Sequence, residues 1–337
     1  MPLRIALIGG GRMGAALAHH LAYTVDAAKF VSIADPNEEN LRQLAEKFGV
    51  PETYPNHRQL LEESDVDAVV IATPTSTHVE MVCDAAAAGK QIFVEKPLAL
   101  TVEGCDQAIA AAEAQGVKLQ VGFMRRFDPA YVVAKEKIDA GVIGNPVMFK
   151  STGRDPWRTS LKYAQREASG GMILDMAIHD FDAARWLMGS EVERTYSEGG
   201  CLVFPELAGV ADIDNAVVNL RFRSGAIGNV DVSRNAIYGY DIRTEVIGSD
   251  GSLMIGGLQG TALLTMTKNS IAHDTIPGFM ARFANAYAAE LRDFVNAVGE
   301  DRQVSVSGRD ARAATAIGIA ATRSLDEGRV VLLSEVE

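Results

Sequence analysis

The chain has 337 residues, 44 of them acidic and 32 basic, for a formal charge of −12 at neutral pH. A surface of that sign repels phosphate backbones and anionic lipid, so neither sequence-independent nucleic-acid binding nor docking on a membrane surface is expected. A composition 47% hydrophobic and 23% charged is that of a globular protein, and the length points to two domains, expected at 1–123 and 124–337.

Up to residue 123, short apolar runs alternate with alanine- and leucine-rich stretches of helical spacing. The runs at 3–8, 30–34, 68–72, 91–94 and 118–121 predict strands, and the stretches at 13–23, 37–48, 76–88 and 102–115 predict helices. That alternation implies a parallel sheet covered on both faces, a doubly wound Rossmann domain whose ligand lies at the carboxyl ends of the strands. The opening segment is not read as a leader, because Arg4 and Arg12 bracket only seven residues and glycines interrupt the run. No uncharged apolar stretch reaches membrane-spanning length.

Beyond residue 123 the texture changes. A helix is predicted at 171–188, then strands at 216–222, 226–232, 242–247, 252–255 and 262–267, with Ser224-Gly225 and Asp250-Gly251 as hairpin punctuation. Strands in succession predict an open, mainly antiparallel sheet in a C-terminal α/β domain. Helices at 279–298 and 308–326 close the chain. Cys83, Cys105 and Cys201 are odd in number and form no CxxC, which predicts neither disulfides nor a zinc knuckle and fits a reducing cytoplasm.

The first strand runs into Gly9-Gly10-Gly11-Arg12-Met13-Gly14, a GxGxxG between strand and helix. Gly9 permits the tight turn, Gly11 lets the backbone approach a pyrophosphate, and Gly14 lets helix and strand pack closely. Asp35 follows 21 residues after Gly14, at the end of the second strand, where an acid accepts the hydrogen bonds of an adenosine ribose. The expected cofactor is NAD rather than NADP, since Pro36-Asn37 stand where a phosphate-binding arginine is wanted.

Three further blocks carry a family resemblance: Val94-Glu95-Lys96-Pro97-Leu98-Ala99, Val121-Gly122-Phe123-Met124-Arg125-Arg126-Phe127-Asp128, and the run from Gly170 to Asp180 that contains Asp175 and His179. With them the chain resembles the Gfo/Idh/MocA oxidoreductases over essentially its whole length. The second block and Tyr238-Gly239-Tyr240-Asp241 resemble the inositol-oxidising branch. The resemblance implies hydride transfer from a secondary alcohol of a cyclic polyol, most of all myo-inositol, to a nicotinamide, and an open sheet that often mediates tetramers. It implies Lys96, Asp175 and His179 as the catalytic groups. Gly153-Arg154-Asp155-Pro156-Trp157-Arg158 departs from the inositol pattern, which carries an asparagine there. Its Trp157-Arg158 pair resembles sugar-oxidising branches in which such a pair lies near the cofactor, so a pyranose is the second substrate class.

The residues fit this chemistry. Oxidising an alcohol needs a base for the hydroxyl proton, a task suited to an imidazole, and His179 lies four residues after Asp175 on one helix face. A metal held by that pair is not expected, because no third ligand accompanies it. Lys96 follows the fourth strand run, where its ammonium can donate to the reacting oxygen, while Pro97 restricts its backbone and admits a cis bond. Glu95 holds either the lysine or the nicotinamide carboxamide. Thr73 and His78 are placed beside the cofactor, with first-turn capping by Ser76 or Thr77 as the alternative for that segment. Arg126, Asp155, Tyr240 and Tyr287 join Lys96, Asp175 and His179 as candidates for binding the polyol, Arg126 with solvation as an equal alternative. A relative that oxidises its substrate transiently in a glycosidase cycle, and a silent NAD sensor, are the rival readings.

Overall fold

A computed structural model describes residues 2–337. The chain packs as two compact units, one made of residues 1–127 and 285–315, the other of 128–284 and 316–337.

The first unit alternates strand and helix as the sequence pattern predicts, with β3 and α3 added in a stretch where neither was expected: β1 (Leu3–Ile8), α1 (Arg12–Tyr23), β2 (Ala28–Ala34), α2 (Glu38–Phe48), β3 (Glu52–Tyr54), α3 (His57–Glu63), β4 (Ala68–Ile71), α4 (His78–Ala87), β5 (Gln91–Glu95), α5 (Val102–Gln115) and β6 (Leu119–Gly122). The strands form one parallel sheet in the order β3-β2-β1-β4-β5-β6, reversing direction at β1. β4, residues 5–8 of β1 and residues 92–94 of β5 are apolar on both faces, as strands covered by helices on both sides must be. α2 and α5 stop at left-handed Gly49 and Gly116, and α2 starts on Asn37, whose side chain accepts from the N–H groups of Glu39 and Asn40.

The second unit holds α6 (Pro129–Asp139), β7 (Pro146–Arg154), the short α7 (Leu161–Ala164) and α8 (Arg166–Ser169), α9 (Gly171–Met188), β8 (Val192–Gly200), β9 (Asn215–Phe222), β10 (Ile227–Ser233), β11 (Asp241–Gly248), β12 (Ser252–Ile255) and the hairpin β13 (Thr265–Met266) and β14 (Ile271–Ala272). α10 (Phe279–Gly299) is kinked at Phe283, and from Asn285 its residues belong to the first unit. α11 (Gly308–Glu327) and β15 (Val331–Leu332) end the chain. The sheet order is β12-β11-β7-β10-β9-β8-β15, antiparallel throughout except for β7 beside β10. α9 packs on this sheet over β7 and β10. In β7, β9 and β10, buried residues alternate with exposed ones that include Val147, Val217 and Ile227.

The strand expected at 262–267 is only Thr265–Met266, in an exposed two-stranded hairpin, because this apolar run has no sheet to join. Among the described residues no helix is long and apolar enough to cross a membrane. Cys83, Cys105 and Cys201 are free thiols.

Candidate active site

The carboxyl edge of the first sheet carries the glycine loop after β1, Asp35 after β2, Thr73 after β4 and Lys96 after β5. Gly9 sits at φ +103°, and a Cβ there would lie 2.6 Å from the Ala72 carbonyl oxygen, so only glycine fits the turn. A Cβ on Gly14 would fall 1.8 Å from the Gly9 carbonyl oxygen, which makes Gly14 the close-packing position between strand and helix. Gly11 is the N-cap of α1 and offers its first N–H groups no side-chain partner; a Cβ there would meet nothing within 4 Å. Together these leave an open helix amino terminus beside a bare backbone, which suits a pyrophosphate. Arg12 and Met13 form the first turn of α1.

Asp35 is buried. Its Oδ2 accepts from the Gly10 N–H at 2.5 Å and its Oδ1 from the Asn37 N–H at 2.8 Å, so the carboxylate is fixed against the glycine loop. The residues therefore fit an adenine dinucleotide: loop, helix terminus and acid stand in the order its phosphates and ribose require.

His78 is almost wholly enclosed, its Nδ1 2.7 Å from the Pro97 carbonyl oxygen and its Nε2 2.9 Å from that of Thr73. Burial lowers its pKa, and a neutral ring donates to only one of these two carbonyls. It acts as a strut between the segment after β4 and the Lys96-Pro97 turn, whose peptide bond is cis. Thr77 does not cap α4; its hydroxyl lies 2.8 Å from Thr73 Oγ1 and from the Pro74 carbonyl oxygen. Glu95 accepts from the Lys96 N–H at 3.2 Å through Oε2, and its carboxyl lies over Gly122, where a Cβ would come within 3.2 Å of it. Burial pushes the Glu95 carboxyl up to about 7, against the pull of the Lys96 charge. Arg126 Nη2 donates to Asp310 at 3.0 Å. Burial raises the Asp310 carboxyl, and Arg126 and Ser307 overcome it to hold the group below its ordinary value. Tyr287, on α10, is buried within this same unit.

In the second unit α9 begins at Gly171, with the Met172 N–H donating to Asp212 Oδ1 at 2.7 Å. Asp175 and His179 lie one turn apart on α9. Asp175 Oδ1 accepts from the Tyr163 hydroxyl at 3.0 Å, and its Oδ2 lies 3.3 Å from Arg234 Nη2. Arg234, immersed in the interior, also reaches Asp212 at 2.7 Å through Nη1. Asp180 and Asp182, on the same helix, are buried, Asp180 accepting from the Ser151 hydroxyl. Tyr240 is buried with its ring edge-on to Phe283 at 6.4 Å. Asp155 is fixed by its backbone, with its N–H to Ser233 and its carbonyl accepting from Ala236. Trp157 packs on Gly278, where a Cβ would lie 2.8 Å from its ring, and Arg158 pairs with Glu206 at 3.1 Å.

The structure thus gathers Asp175 and His179 on one helix, and the glycine loop, Asp35, Thr73, His78, Glu95 and Lys96 on one sheet edge. Sequence reasoning missed Arg234, Asp212 and Tyr163. None falls in a motif, and Arg234 is 59 residues from the Asp175 it supports.

Residues 3–123 match the family described as oxidoreductase family, NAD-binding Rossmann fold, and residues 135–333 match its C-terminal alpha/beta domain. The chain is 41% identical to the scyllo-inositol 2-dehydrogenase (NAD(+)) of Bacillus subtilis, over 98% of this chain and 96% of that one. It is 41% identical to the myo-inositol 2-dehydrogenase of Thermotoga maritima, over 99% of each. The crystal structure of scyllo-inositol dehydrogenase from Lactobacillus casei with bound NAD(H) and scyllo-inositol superposes with a TM-score of 0.95 at 29% identity, covering 99% of this chain and 100% of that one. With both domains matched and the relatives spanned end to end, the chain belongs to the Gfo/Idh/MocA oxidoreductase family, and its first domain is the family's NAD-binding Rossmann fold.

Proposed function

We propose that this protein is an NAD-dependent dehydrogenase that oxidises a secondary hydroxyl of a cyclic polyol, with myo-inositol converted to its 2-keto form. The observation that carries the reading is the Asp175–His179 pair on α9, with Asp175 backed by a buried arginine, in a chain whose glycine loop and Asp35 fit a dinucleotide. Relatives named for myo- and for scyllo-inositol stand at equal identity, which supports the inositol class.

When bound, the nicotinamide supplies the hydride acceptor. His179 takes the hydroxyl proton as the C–H hydride leaves. Asp175 holds a polar position one turn away, orienting the ring or a neighbouring substrate hydroxyl, and Arg234 and Tyr163 keep its two oxygens in place. Lys96 donates to the reacting oxygen and favours the alkoxide-like transition state. Asp35 binds the adenosine ribose, Gly11 and the first N–H groups of α1 bind the pyrophosphate, and Trp157 and Arg158 line the cofactor side. Residues 1–123 carry the cofactor site, and the substrate and oligomer functions fall to 124–337, of which 124–127 and 285–315 pack with the first unit.

The chain is assigned to the cytoplasm as a homo-oligomer, a tetramer by its family's habit. Free thiols at Cys83, Cys105 and Cys201 fit a reducing compartment, and the exposed apolar residues Val147, Val217, Ile227, Leu263 and Met266 fit a buried subunit contact. Light scattering on the pure protein tests the assembly.

The test of function is to incubate the protein with NAD and a panel of polyols while following absorbance of the reduced cofactor. Net NADH with an inositol is expected. Silence with every polyol would favour an NAD sensor, and turnover of a glycoside without net NADH would favour a glycosidase cycle.

A further inference from the structure

β5 and α10 meet through Phe93 and Phe294, whose rings lie 5.9 Å apart and tilted by 61°. Two residues further along the strand and one turn back along the helix, the same two faces bear Glu95 and Glu290. The register that packs the aromatic pair therefore also sets one carboxyl toward the other, inside the first unit. Glu290 is 0% exposed and Glu95 7%. Glu95 Oε1 and both carboxyl oxygens of Glu290 are buried and have no hydrogen-bond partner among the described residues. β6 adds Gln120, whose Nε2 donates to the Glu290 backbone carbonyl at 3.0 Å while its Oε1 is likewise buried without a partner.

An ionised carboxylate in such surroundings is far more costly than a neutral acid, most of all at Glu290, whose two oxygens have no donor among the described residues while Glu95 Oε2 accepts from the Lys96 N–H. Burial raises both groups, and repulsion from Glu95 raises Glu290 further, whereas the Lys96 charge favours ionisation of Glu95. The charged groups acting on Glu95 are thus Lys96 in the adjoining turn and Glu290 on α10. From β6 come only Gly122 and Gln120, neither of which titrates. Of the two acids Glu95 ionises first, and Glu290 keeps its proton.

We propose that Glu290 is a positioning residue for the dehydrogenase reaction: a neutral acid buried behind Glu95, it holds the pair to a single negative charge, which Glu95 presents to Lys96. This rests on the role given to Lys96 above. It assigns work to a helix residue with no motif, on an element that follows the second domain's strands in sequence.

Two measurements on the full-length protein test it. Infrared spectra at pH 8 should contain a carbonyl-stretch band of a neutral carboxylic acid that disappears in Glu290→Gln. Identical spectra would overturn the proposal, since Glu290 would then be ionised. The second is the pH dependence of kcat with myo-inositol and NAD. Removing the acid in Glu290→Leu leaves Glu95 facing an apolar wall, so the acid limb should move to higher pH by about one unit with KM for NAD unchanged. Glu290→Gln, which keeps a neutral polar group, should return the limb to its wild-type position. A folded Glu290→Leu with an unmoved limb would overturn the proposal, and so would a Glu290→Gln limb displaced as far as that of Glu290→Leu. If Glu290→Leu does not fold, the infrared band and the Glu290→Gln profile still decide. If the wild type oxidises no polyol, the functional reading fails and takes the Lys96 role with it, while the band alone reports whether Glu290 holds its proton.

Discussion

Arg234 bridges Asp175 and Asp212: one guanidinium, itself buried, lies 3.3 Å from the first carboxylate and 2.7 Å from the second. Asp212 in turn accepts from the Met172 N–H at the start of α9, so the arginine ties the helix origin to the acid one turn further on. Replacing Arg234 by Met leaves the buried Asp212 carboxylate and the partly exposed Asp175 carboxylate without their cation, a loss of about 3 to 5 kcal/mol in stability. Arg234→Lys keeps the charge but not the two-armed reach, so Asp175 should drift and kcat should fall about a hundredfold, the scale of an ångström misplacement. Chemical denaturation and steady-state kinetics of both variants check this. A wild-type kcat in Arg234→Lys would mean that the orientation of Asp175 is immaterial.

His179→Ala should lower turnover by about two to four orders of magnitude, the usual worth of a positioned general base. Nucleotide affinity, followed by protein fluorescence quenching, should hardly change, because the glycine loop and Asp35 belong to the other unit. Near wild-type oxidation of the best polyol by this variant would place the base elsewhere.

The difference between these two residues is also the difference between what was legible in the sequence and what was not. His179, Asp175 and Lys96 sit in compact blocks, and the glycine loop with Asp35 is a local pattern of strand, turn and helix. Arg234 and Glu290 matter through partners distant in sequence: Gln120 and Glu290, bonded here, are 170 residues apart. The same holds for the fold. The first sheet is read from runs apolar on both faces, but β7, between β10 and β11 in the second sheet, escapes notice because its inward positions include Ser151 and Gly153. β8 is hidden by its charged outward residues. Nor does any signal mark the return of 285–315 to the first unit, since an amphipathic helix looks alike whichever core it covers.

Asp35 should enforce NAD over NADP. Its carboxylate is anchored by the Gly10 and Asn37 N–H groups and cannot swing away from a 2′-phosphate. Arg42, the nearby cation in sequence, is already paired with Glu39 at 2.7 Å and Glu46 at 3.3 Å. Catalytic efficiencies with both cofactors on one substrate should favour NAD strongly, and Asp35→Ser should narrow the gap. Equal efficiency with NADP in the wild type would sink the assignment.

Stability should fall as pH drops from about 6.5 toward 4, through His20. Burial, joined by the charges of His19 and Arg292, lowers its pKa from 6.5 to about 4. Between those values the unfolded chain binds a proton that the folded one does not, so stability rises with pH across the window. His20→Gln should flatten that part of the profile, whereas an equal acid sensitivity in wild type and variant, measured by urea melts from pH 4.5 to 7.5, would show that other groups govern it.

The last expectation concerns the substrate. A polyol presents a hydroxyl on nearly every carbon, and each buried donor or acceptor left unpaired costs about 1 to 3 kcal/mol, so the protein must supply polar side chains in number. Those proposed to do so are Arg126, Asp155, Asp175, His179, Tyr240 and Tyr287, of which Asp175 and His179 share one helix face. Apolar alcohols should therefore fail. Myo-inositol carries a single axial hydroxyl and scyllo-inositol carries none, so an enzyme that positions one C–H toward the nicotinamide should separate the two. The Met124–Asp128 and Tyr238–Asp241 blocks favour inositols, while the Asp155-Pro156-Trp157-Arg158 segment favours a pyranose as the second choice. Catalytic efficiency on myo-inositol, scyllo-inositol, D-chiro-inositol and glucose decides, with myo-inositol expected to lead. If glucose outran every inositol by about tenfold, 1.4 kcal/mol of transition-state preference, the hydride chemistry would stand and the inositol assignment would fall.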